Sequence, residues 1–272
     1  MKNAARVVIA CVVTIVFAIP LYLALVNAFK PNSQIQLSPA ALPDPVTVDN
    51  FINVLTAPSG LFWQGLLNSL VIVIPTMAAT SVFGALGGYY LARSTSLVSR
   101  LSGAILLIGL MLPFQVLLLP LSIVLKQLGL QGTLFGIILF NVAFYVPFAA
   151  FVYARFIQSV PRELEEAAAI DGAGRLRTFA QVVVPLLKPT TASVLIFIGV
   201  WVWNDFLNPL VLLGPSGGRT ITTGLYVAIG QFNTDFGTMF ALMLLAVLPI
   251  LVFFLLLQKR FVAGLTAGAT KG

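Results

Sequence analysis

The amino-acid sequence predicts an all-α membrane protein that crosses the lipid bilayer six times, with both ends in the cytoplasm. The chain has 272 residues, of which 59% are hydrophobic and 8% are charged. A soluble domain averages about 45–50% apolar and about 25% charged residues, and so few ionic groups could not cover a water-exposed surface. The charged residues also lie mainly in the breaks between long apolar runs, as is expected when lipid surrounds those runs.

A helix that spans the hydrocarbon core needs roughly 20 mostly apolar residues. Five runs meet that length without a charged residue, and a sixth is apolar except around Asp205. The first run is longer than the about 7–15 residues of a signal-peptide core, so we expect it to stay as a helix. The whole chain, residues 1–272, is predicted to be one transmembrane domain, with spans at residues 7–29, 66–92, 101–125, 133–154, 189–213 and 238–257.

The basic residues set the predicted orientation. With the N-terminus inside, the 15 lysines and arginines divide 12 to 3 in favour of the cytoplasm, and short cytoplasmic loops are the ones that carry excess Lys and Arg. The formal charge of +7 is therefore interpreted as a topology signal and not as a nucleic-acid footprint. The inside set is Lys2, Arg6, Arg93, Arg100, Arg155, Arg162, Arg175, Arg177, Lys188, Lys259, Arg260 and Lys271, and the outside set is Lys30, Lys126 and Arg219.

Two features have more than one interpretation. The proline-rich outer segment 30–65 is a docking surface, a gate or a plain connector.

Prolines inside the predicted spans remove backbone donors and kink helices, and neighbouring groups in a bundle satisfy the freed carbonyls. Such kinks serve either close packing or a bundle that bends around a pathway. These prolines are Pro20, Pro75, Pro113, Pro120, Pro147, Pro209 and Pro249.

The charged stretch 155–188 is predicted to be a structured cytoplasmic loop. Three glutamates follow Pro161 at once, and a helix N-terminus favours both proline and negative charge. Alanines at 167–169 favour helix, and Gly172 supplies the left-handed residue that commonly ends one. The pattern therefore predicts a helix over 161–172 followed by a glycine turn.

A second helix is predicted beyond the glycine turn, interrupted by Pro185. An apolar helical face suits the groove of a partner protein as well as it suits a membrane surface. The pattern alone therefore allows two roles: docking to a partner, or lying at the membrane interface without one. The residues at helical spacing are Leu176, Phe179, Ala180, Val183 and Leu187.

The loop also carries a spaced motif. Glu166-Ala167-Ala168 is followed after three residues by Gly172 and, after nine more, by Val182-Val183-Val184-Pro185. This spacing resembles the EAA loop of ABC-importer permeases, in which EAA, three residues, G and nine residues precede I-x-L-P. The valines are a mild departure that keeps the apolar character of the motif.

Further segments resemble the maltose-type carbohydrate permeases, and the resemblance covers most of the chain. It implies a type I ABC importer permease fold in a prokaryotic plasma membrane. It also implies that a sugar, or a related polyol or glycerol-phosphate solute, moves inward by alternating access. The segments are Asp49-Asn50-Phe51, Asn68-Ser69, Ala92-Arg93, Ala169-Ile170-Asp171-Gly172-Ala173, Trp203-Asn204-Asp205-Phe206 and the tail 258–272, which is similar to that of the second permease subunit.

The resemblance implies partners as well. They are a second, different permease subunit that forms a heterodimer with this chain, two cytoplasmic ABC ATPase subunits and an extracellular solute-binding protein. No cofactor is expected in this chain, because ATP and magnesium would be bound by the ATPase subunits. By the same resemblance the loop would be the coupling helix that seats in a groove on one ATPase, through Glu166, Ala167, Ala168, Asp171 and Gly172.

Asp205 is the charged residue that falls inside a predicted span. A central carboxylate costs on the order of 2.5–3.5 kcal/mol to insert, so it should face the bundle or a water-filled cavity. Trp201, Asn204 and Asn208 recur with it at spacings of three and four residues, which predicts one shared helix face. A ring beside carboxylate and amide groups suits a sugar, so all four are candidate substrate-pathway residues. The alternative is structural, with Asp205 tying helices together or capping a break near the outer surface.

No catalytic or metal site is predicted. The chain has no histidine, which removes the commonest general base and most zinc sites. Gly214-Pro215-Ser216-Gly217 superficially resembles a rhomboid-protease motif but has no histidine base to activate the serine. The chain has no P-loop sequence, and residues 172–177 fail the dinucleotide pattern at its last glycine. The remaining rival is a secondary transporter or channel that works alone, a class that usually carries internal repeats and intramembrane ion-coupling groups.

Overall fold

The computed structural model describes residues 2–214, 217–231 and 235–269, and side chains within 6–214, 217–230 and 235–258. Pro215 and Ser216 of the serine motif, and the side chains of the tail beyond Gln258, lie outside the described residues. All regular secondary structure in the described ranges is helical, which confirms the predicted all-α class.

The helices are numbered in chain order. They are α1 Lys2–Ala28, α2 Asn32–Leu37, α3 Asp49–Thr56, α4 Leu61–Arg93, α5 Leu97–Met111, α6 Phe114–Gln127, α7 Leu134–Gln158, α8 Glu163–Ile170, α9 Arg175–Thr178, α10 Val184–Leu186, α11 Lys188–Asn204, α12 Leu207–Leu212, α13 Ile221–Gln231 and α14 Phe236–Ala269, with a π-helical turn at Phe179–Val183 between α9 and α10. The chain divides into two compact units, residues 1–67 with 219–249 and residues 68–218 with 250–272.

In the first unit, α1 is apolar on all sides and mostly exposed, as is expected of a helix that faces lipid. Beyond its end, Lys30 is fully buried. Its ammonium Nζ donates to Asn27 Oδ1 and to the carbonyl oxygens of Ser38 and Pro39, each at 3.0 Å. Three acceptors match the three donors of an ammonium group. Burial lowers the pKa of Lys30 below its ordinary value, because the charged form loses its solvation.

Asn50, on α3, also forms hydrogen bonds to the backbone at the end of α1. Its side-chain nitrogen donates to the carbonyl oxygens of Ala28 and Lys30, both at 2.8 Å. The rings of Phe29 and Phe51 lie 4.8 Å apart between their centroids. The first half of the outer segment is therefore held to the end of α1 by buried hydrogen bonds.

Within the described residues, four helices are long and apolar enough to cross a membrane unbroken, and the number of candidate spans is up to six if each of two bent helix pairs counts as one span. The four are Arg6–Ala28, Leu61–Arg93, Leu134–Gln158 and Phe236–Gln258, which correspond to the first, second, fourth and sixth predicted spans. Their ends differ by a few residues from the predicted ends, as is usual for helix termini.

The third predicted span, 101–125, is not one helix. It consists of α5 and α6, which meet at 104°. Leu112 precedes Pro113 and has φ −73° and ψ 126°, an extended conformation. A residue before proline is pushed out of the helical region by the proline ring, so the helix ends there. The prediction treated Pro113 as a kink, and the structure shows a break.

The fifth predicted span, 189–213, is also divided. α11 ends at Asn204, and α12 begins at Leu207 after an extended residue, Asp205. A 74° bend separates α11 from the segment Arg175–Leu186 that precedes it. α12 packs instead in an apolar cluster with α6 and α7, formed by Leu118, Leu125, Phe140 and Leu212.

In the second unit, α4 and α7 approach each other through small residues. A Cβ atom on Gly84 would lie 2.5 Å from Ala149 Cβ, and one on Gly88 would lie 2.7 Å from Tyr153 Cβ and 2.8 Å from the Ala150 carbonyl oxygen. Ala149 and Ala150 have no exposed surface. Small residues four apart let membrane helices pack backbone to backbone, so this contact fixes the end of α4 that leads to Arg93.

We expect Gly88→Val to destabilise the protein by about 1–3 kcal/mol or more, because the added atoms overlap with the backbone of α7. Gly109→Val is the matched control: it also puts valine in a predicted span, on α5, but at a position with no atom within 4 Å of its Cβ. The measurement is thermal unfolding of both variants in detergent or nanodiscs. Equal melting temperatures for the two variants would contradict the close approach of α4 and α7.

Candidate functional site

The charged loop forms a short exposed helix. α8 covers Glu163–Ile170 and has Glu163, Glu165 and Glu166 in its first turn, as predicted. The helix begins two residues later than predicted, because the first turn forms on Arg162, whose carbonyl accepts from the Glu165 and Glu166 amides. α8 has no buried residue, so its own apolar contacts do not hold it in place.

The glycine turn has the predicted left-handed geometry. Gly172 has φ +80°, a region that L side chains rarely adopt. The Ala173 amide donates to the Ala168 carbonyl at 2.9 Å, and the Gly172 amide donates to the Ala169 carbonyl at 3.0 Å. This pair of bonds is a Schellman motif, which satisfies the last carbonyls of α8 and turns the chain towards α9.

Two large apolar side chains flank the turn and point into solvent. Ile170 is 87% exposed and Leu176 is 80% exposed. The prediction placed Leu176 on the same apolar face as Val183 and Leu187, but those two are buried and Leu176 is not. The face is broken because α9 is one turn long and gives way to the π-helical turn. The loop therefore presents an apolar patch of Ile170 and Leu176 beside a row of small alanines.

The five predicted coupling residues lie together around this patch. Glu166, Ala167, Asp171 and Gly172 are exposed, and Ala168 is half-buried. A cavity of about 250 Å³ lies behind α8. It is lined by Tyr89, Arg162, Glu165, Glu166, Ala169, Ala173, Arg175 and Thr178.

Sequence reasoning missed the residues that attach α8 to the rest of the second unit. Glu165 pairs with Arg93 at the end of α4, with 2.7 Å between the carboxylate and the guanidinium. The sequence carried one indirect signal, since Ala92-Arg93 was among the segments of the resemblance. Sequence spacing could not supply the pairing, because 72 residues separate the two partners.

The Asp205 region is a capped helix break. Asp205 Oδ1 accepts from the Asn208 amide at 3.2 Å, and Oδ2 accepts from the Asn208 side-chain nitrogen at 2.6 Å. A carboxylate that binds the amide three residues on satisfies a free donor at the start of a helix. Asp205 and Asn208 are therefore engaged with each other at the start of α12.

The predicted shared face does not hold for all four candidate pathway residues, because α11 ends at Asn204, before Asp205 and Asn208. Asn208 is buried in α12, whereas Trp201 and Asn204 are exposed on α11. The Asn204 side chain donates back to the Val200 carbonyl at 2.8 Å. Periodicity applies only along an unbroken helix, so the spacing of three and four residues was misleading here.

Trp201 lies in an aromatic group that the sequence did not reveal. Its ring stacks on Tyr145 of α7 at 5.7 Å between centroids and also contacts Phe148 at 4.9 Å and Phe197 at 5.6 Å. Trp201 remains 41% exposed. The arrangement is a partly open aromatic surface shared by α7 and α11.

Comparison with known proteins identifies the family. Residues 84–266 match the family described as binding-protein-dependent transport system inner membrane component. The chain belongs to this family. It is therefore a membrane permease component of a transporter and not itself an enzyme, and it is a multi-pass protein of the plasma membrane.

Relatives cover almost all of the permease. It is 33% identical to the multiple sugar-binding transport system permease protein MsmG of Streptococcus mutans, over 94% of this chain and 93% of that protein. It is also 33% identical to the glucose import system permease protein GlcU of Saccharolobus solfataricus, over 96% of this chain and 93% of that protein. These relatives confirm the resemblance to carbohydrate permeases.

The fold of the permease matches a solved importer. A chain of a bacterial ABC transporter that imports the acidic polysaccharide alginate superposes with a TM-score of 0.83 at 19% identity, over 95% of this chain and 96% of that chain. This likeness confirms the type I importer permease fold. Membership in the binding-protein-dependent family, and not this likeness of fold, disfavours a self-contained secondary transporter or channel.

We expect Gly172→Ala to destabilise the loop of the permease by about 1–2 kcal/mol, because alanine resists the left-handed conformation. Gly174→Ala is the matched control: it has φ −71°, and neither position has an atom within 4 Å of an added Cβ. The measurement is hydrogen–deuterium exchange of peptides that cover α8 and the turn. Faster exchange in both variants, or in neither, would contradict the Schellman assignment.

Proposed function

We propose that the permease is one of two different membrane subunits of an ATP-driven importer that moves a carbohydrate inward. The observation that supports this most is the α8–glycine turn–α9 element, which exposes apolar side chains in a loop that the basic residues assign to the cytoplasm. The identity to sugar permeases along the whole chain supports the solute class. The proposal includes a polyol or a glycerol phosphate as a related solute.

The proposed partner of the loop is a cytoplasmic ABC ATPase. Burial of a Leu or Ile side chain contributes about 1.5–3 kcal/mol, so Ile170 and Leu176 offer a substantial driving force to a complementary groove. Ala167 and Ala168 allow the groove to approach the backbone of α8. Glu166, Asp171 and Gly172 complete the proposed contact, the first two as charges at the rim and the glycine as the turn that orients it.

The other proposed partners follow from the family, whose transport depends on a binding protein. A second permease subunit would complete the pathway, and an extracellular binding protein would deliver the solute. ATP and magnesium would be held by the two ATPases. Their closure would draw the loops of the two permeases together and open the pathway outward, and hydrolysis would return it inward.

Within this chain we propose Trp201 and Asn204 as the pathway residues, because both are exposed on α11. The ring of Trp201 suits the apolar face of a pyranose, and the neighbouring amide suits its hydroxyls. Asp205 and Asn208 do not contact the solute in this proposal; their mutual hydrogen bonds stabilise the break that ends α11. The proposal thus keeps two of the four predicted residues for contact and gives the other two a capping role.

The test of the function is the double variant Ile170→Glu/Leu176→Glu in an affinity-tagged complex. We expect about a tenfold loss of retained ATPase, because two charges replace the apolar patch. Leu37→Glu is the matched control for retention, since Leu37 is 87% exposed but lies on the predicted outer side. Uptake of labelled glucose, melibiose and raffinose, which are sugars named for import permeases similar to this one, is measured in parallel. Unchanged ATPase retention and unchanged uptake in the double variant would overturn the proposal.

The capping role of Asp205 is tested separately. We expect Asp205→Asn to keep uptake within about twofold, because an amide oxygen still accepts from the Asn208 amide, whereas Asp205→Ala loses about 1 kcal/mol of stability. The measurements are uptake of the best-transported sugar and the melting temperature. Loss of uptake in Asp205→Asn, at unchanged expression and melting temperature, would show instead that the pathway needs an ionised carboxylate.

A further inference from the structure

We propose that Tyr89, Arg93 and Glu165 form a clasp that ties the coupling loop to α4, so that a displacement of α8 is carried into that helix. The three are positioning residues: they act through α8 and contact neither ATP nor solute. The inference rests on the proposed function, because it concerns how the same loop transmits its movement.

The contacts occupy both oxygens of the Glu165 carboxylate. Oε1 accepts from Arg93 Nε at 2.7 Å, and Oε2 accepts from the Tyr89 hydroxyl at 2.7 Å. Arg93 Nη2 also donates to the Val160 carbonyl at 3.0 Å, in the connection that leads from α7 to α8. The clasp therefore holds both α8 and the chain just before it.

The placement of the two α4 residues suits this role. Tyr89 and Arg93 are one helical turn apart, so they lie on the same face of α4. Glu165 is the half-buried glutamate of the first turn of α8, whereas Glu163 and Glu166 are exposed. The Tyr89 ring also lies 5.2 Å from the ring of Phe179, so the π-helical turn is attached to the same point.

The ion pair is not an ordinary surface pair. Exposed pairs contribute little because water screens them, but the side chains of Arg93 and Glu165 are each only 14% exposed. Removal of one partner from such a site leaves the other charge poorly solvated and without its counter-charge. A substitution at either residue should therefore release α8 as well as weaken one bond.

The clasp matters because α8 contacts α9 and the π-helical turn but buries no side chain of its own. None of the residues of α8 is buried, so it has no apolar anchor of its own. By contrast, α4 is packed on α7 through Gly84 and Gly88. Gly88 lies within two helical turns of Arg93 on α4. In the proposed coupling, a displacement of the exposed α8 is passed to the packed α4 through this directional polar contact.

The experiment uses the complete importer in proteoliposomes, with external binding protein and whichever of labelled glucose, melibiose or raffinose the wild type transports fastest. The ratio of sugar transported to ATP hydrolysed is measured for Arg93→Glu, Glu165→Arg and the double reversal. Each single variant is expected to lower this ratio about tenfold while ATPase subunits are still retained, because Ile170 and Leu176 are intact. The double reversal is expected to raise the ratio about twofold above the single variants, because the ion pair re-forms with opposite polarity while the bonds from Tyr89 and to the Val160 carbonyl do not.

Milder variants and controls keep the test decisive if a reversal does not fold. Tyr89→Phe removes one hydrogen bond and is expected to lower the ratio about two- to threefold at an unchanged melting temperature. The controls are Glu163→Gln, which removes an exposed charge on α8, and Arg100→Gln, which removes an exposed charge in the first turn of α5. Both should leave the ratio unchanged.

The clasp is overturned if Tyr89→Phe and both single reversals keep the wild-type ratio, or if the double reversal recovers nothing while each single variant is folded. A purely structural role would lower the melting temperature and the amount of complex but would leave the ratio intact, which also overturns the proposal. Failure of the proposed function has a different signature, since the wild-type complex would then contain no ATPase at all.

Discussion

Lipid offers no hydrogen bonds to the backbone, and this constraint governs the structure of the permease. Every carbonyl and amide in the apolar region must find a partner in its own helix or in a neighbour, which is why all regular secondary structure of the described residues is helical. Where a helix does break, the structure supplies a replacement. Asp205 caps α12, and Ser96 accepts from the Ser99 amide at the start of α5. Lys30 shows the same rule for a charge, since three oxygens replace its water.

Small residues turn these helices into a support for the loop. The close approach of α4 and α7 depends on Gly84 and Gly88, and the same α4 ends at Arg93, which pairs with Glu165. A rigid pair of helices with a polar contact at its end is an arrangement that transmits displacement. In the proposed coupling, the exposed Ile170 and Leu176 are the surface on which a partner would act. The same helix, α4, therefore packs on α7 through its glycines and contacts the loop through Arg93 at its end.

The division of labour within the candidate sites follows from burial. Glu165, half-buried, bonds within the chain, whereas Glu166, exposed one residue later, is free to meet a partner. Asp205 and Asn208 bond each other, whereas Trp201 stays partly open beside three other rings. In both places, one residue forms bonds within the chain while a neighbouring residue stays exposed. The permease is therefore best described as a packed scaffold that presents two exposed surfaces, one aromatic and one at the loop.

The sequence by itself determined the class, the number of candidate spans and the helix–glycine–helix loop, because apolar length, charge placement and a left-handed glycine are local properties. It also carried the family, through the spacing around Glu166 and Gly172. Only the tertiary structure decided where helices break, because a proline or aspartate can kink or end a helix according to its neighbours. The same limit hid the contact of Arg93 with Glu165, 72 residues away in the chain, since no local pattern records which distant side chain will share a buried site.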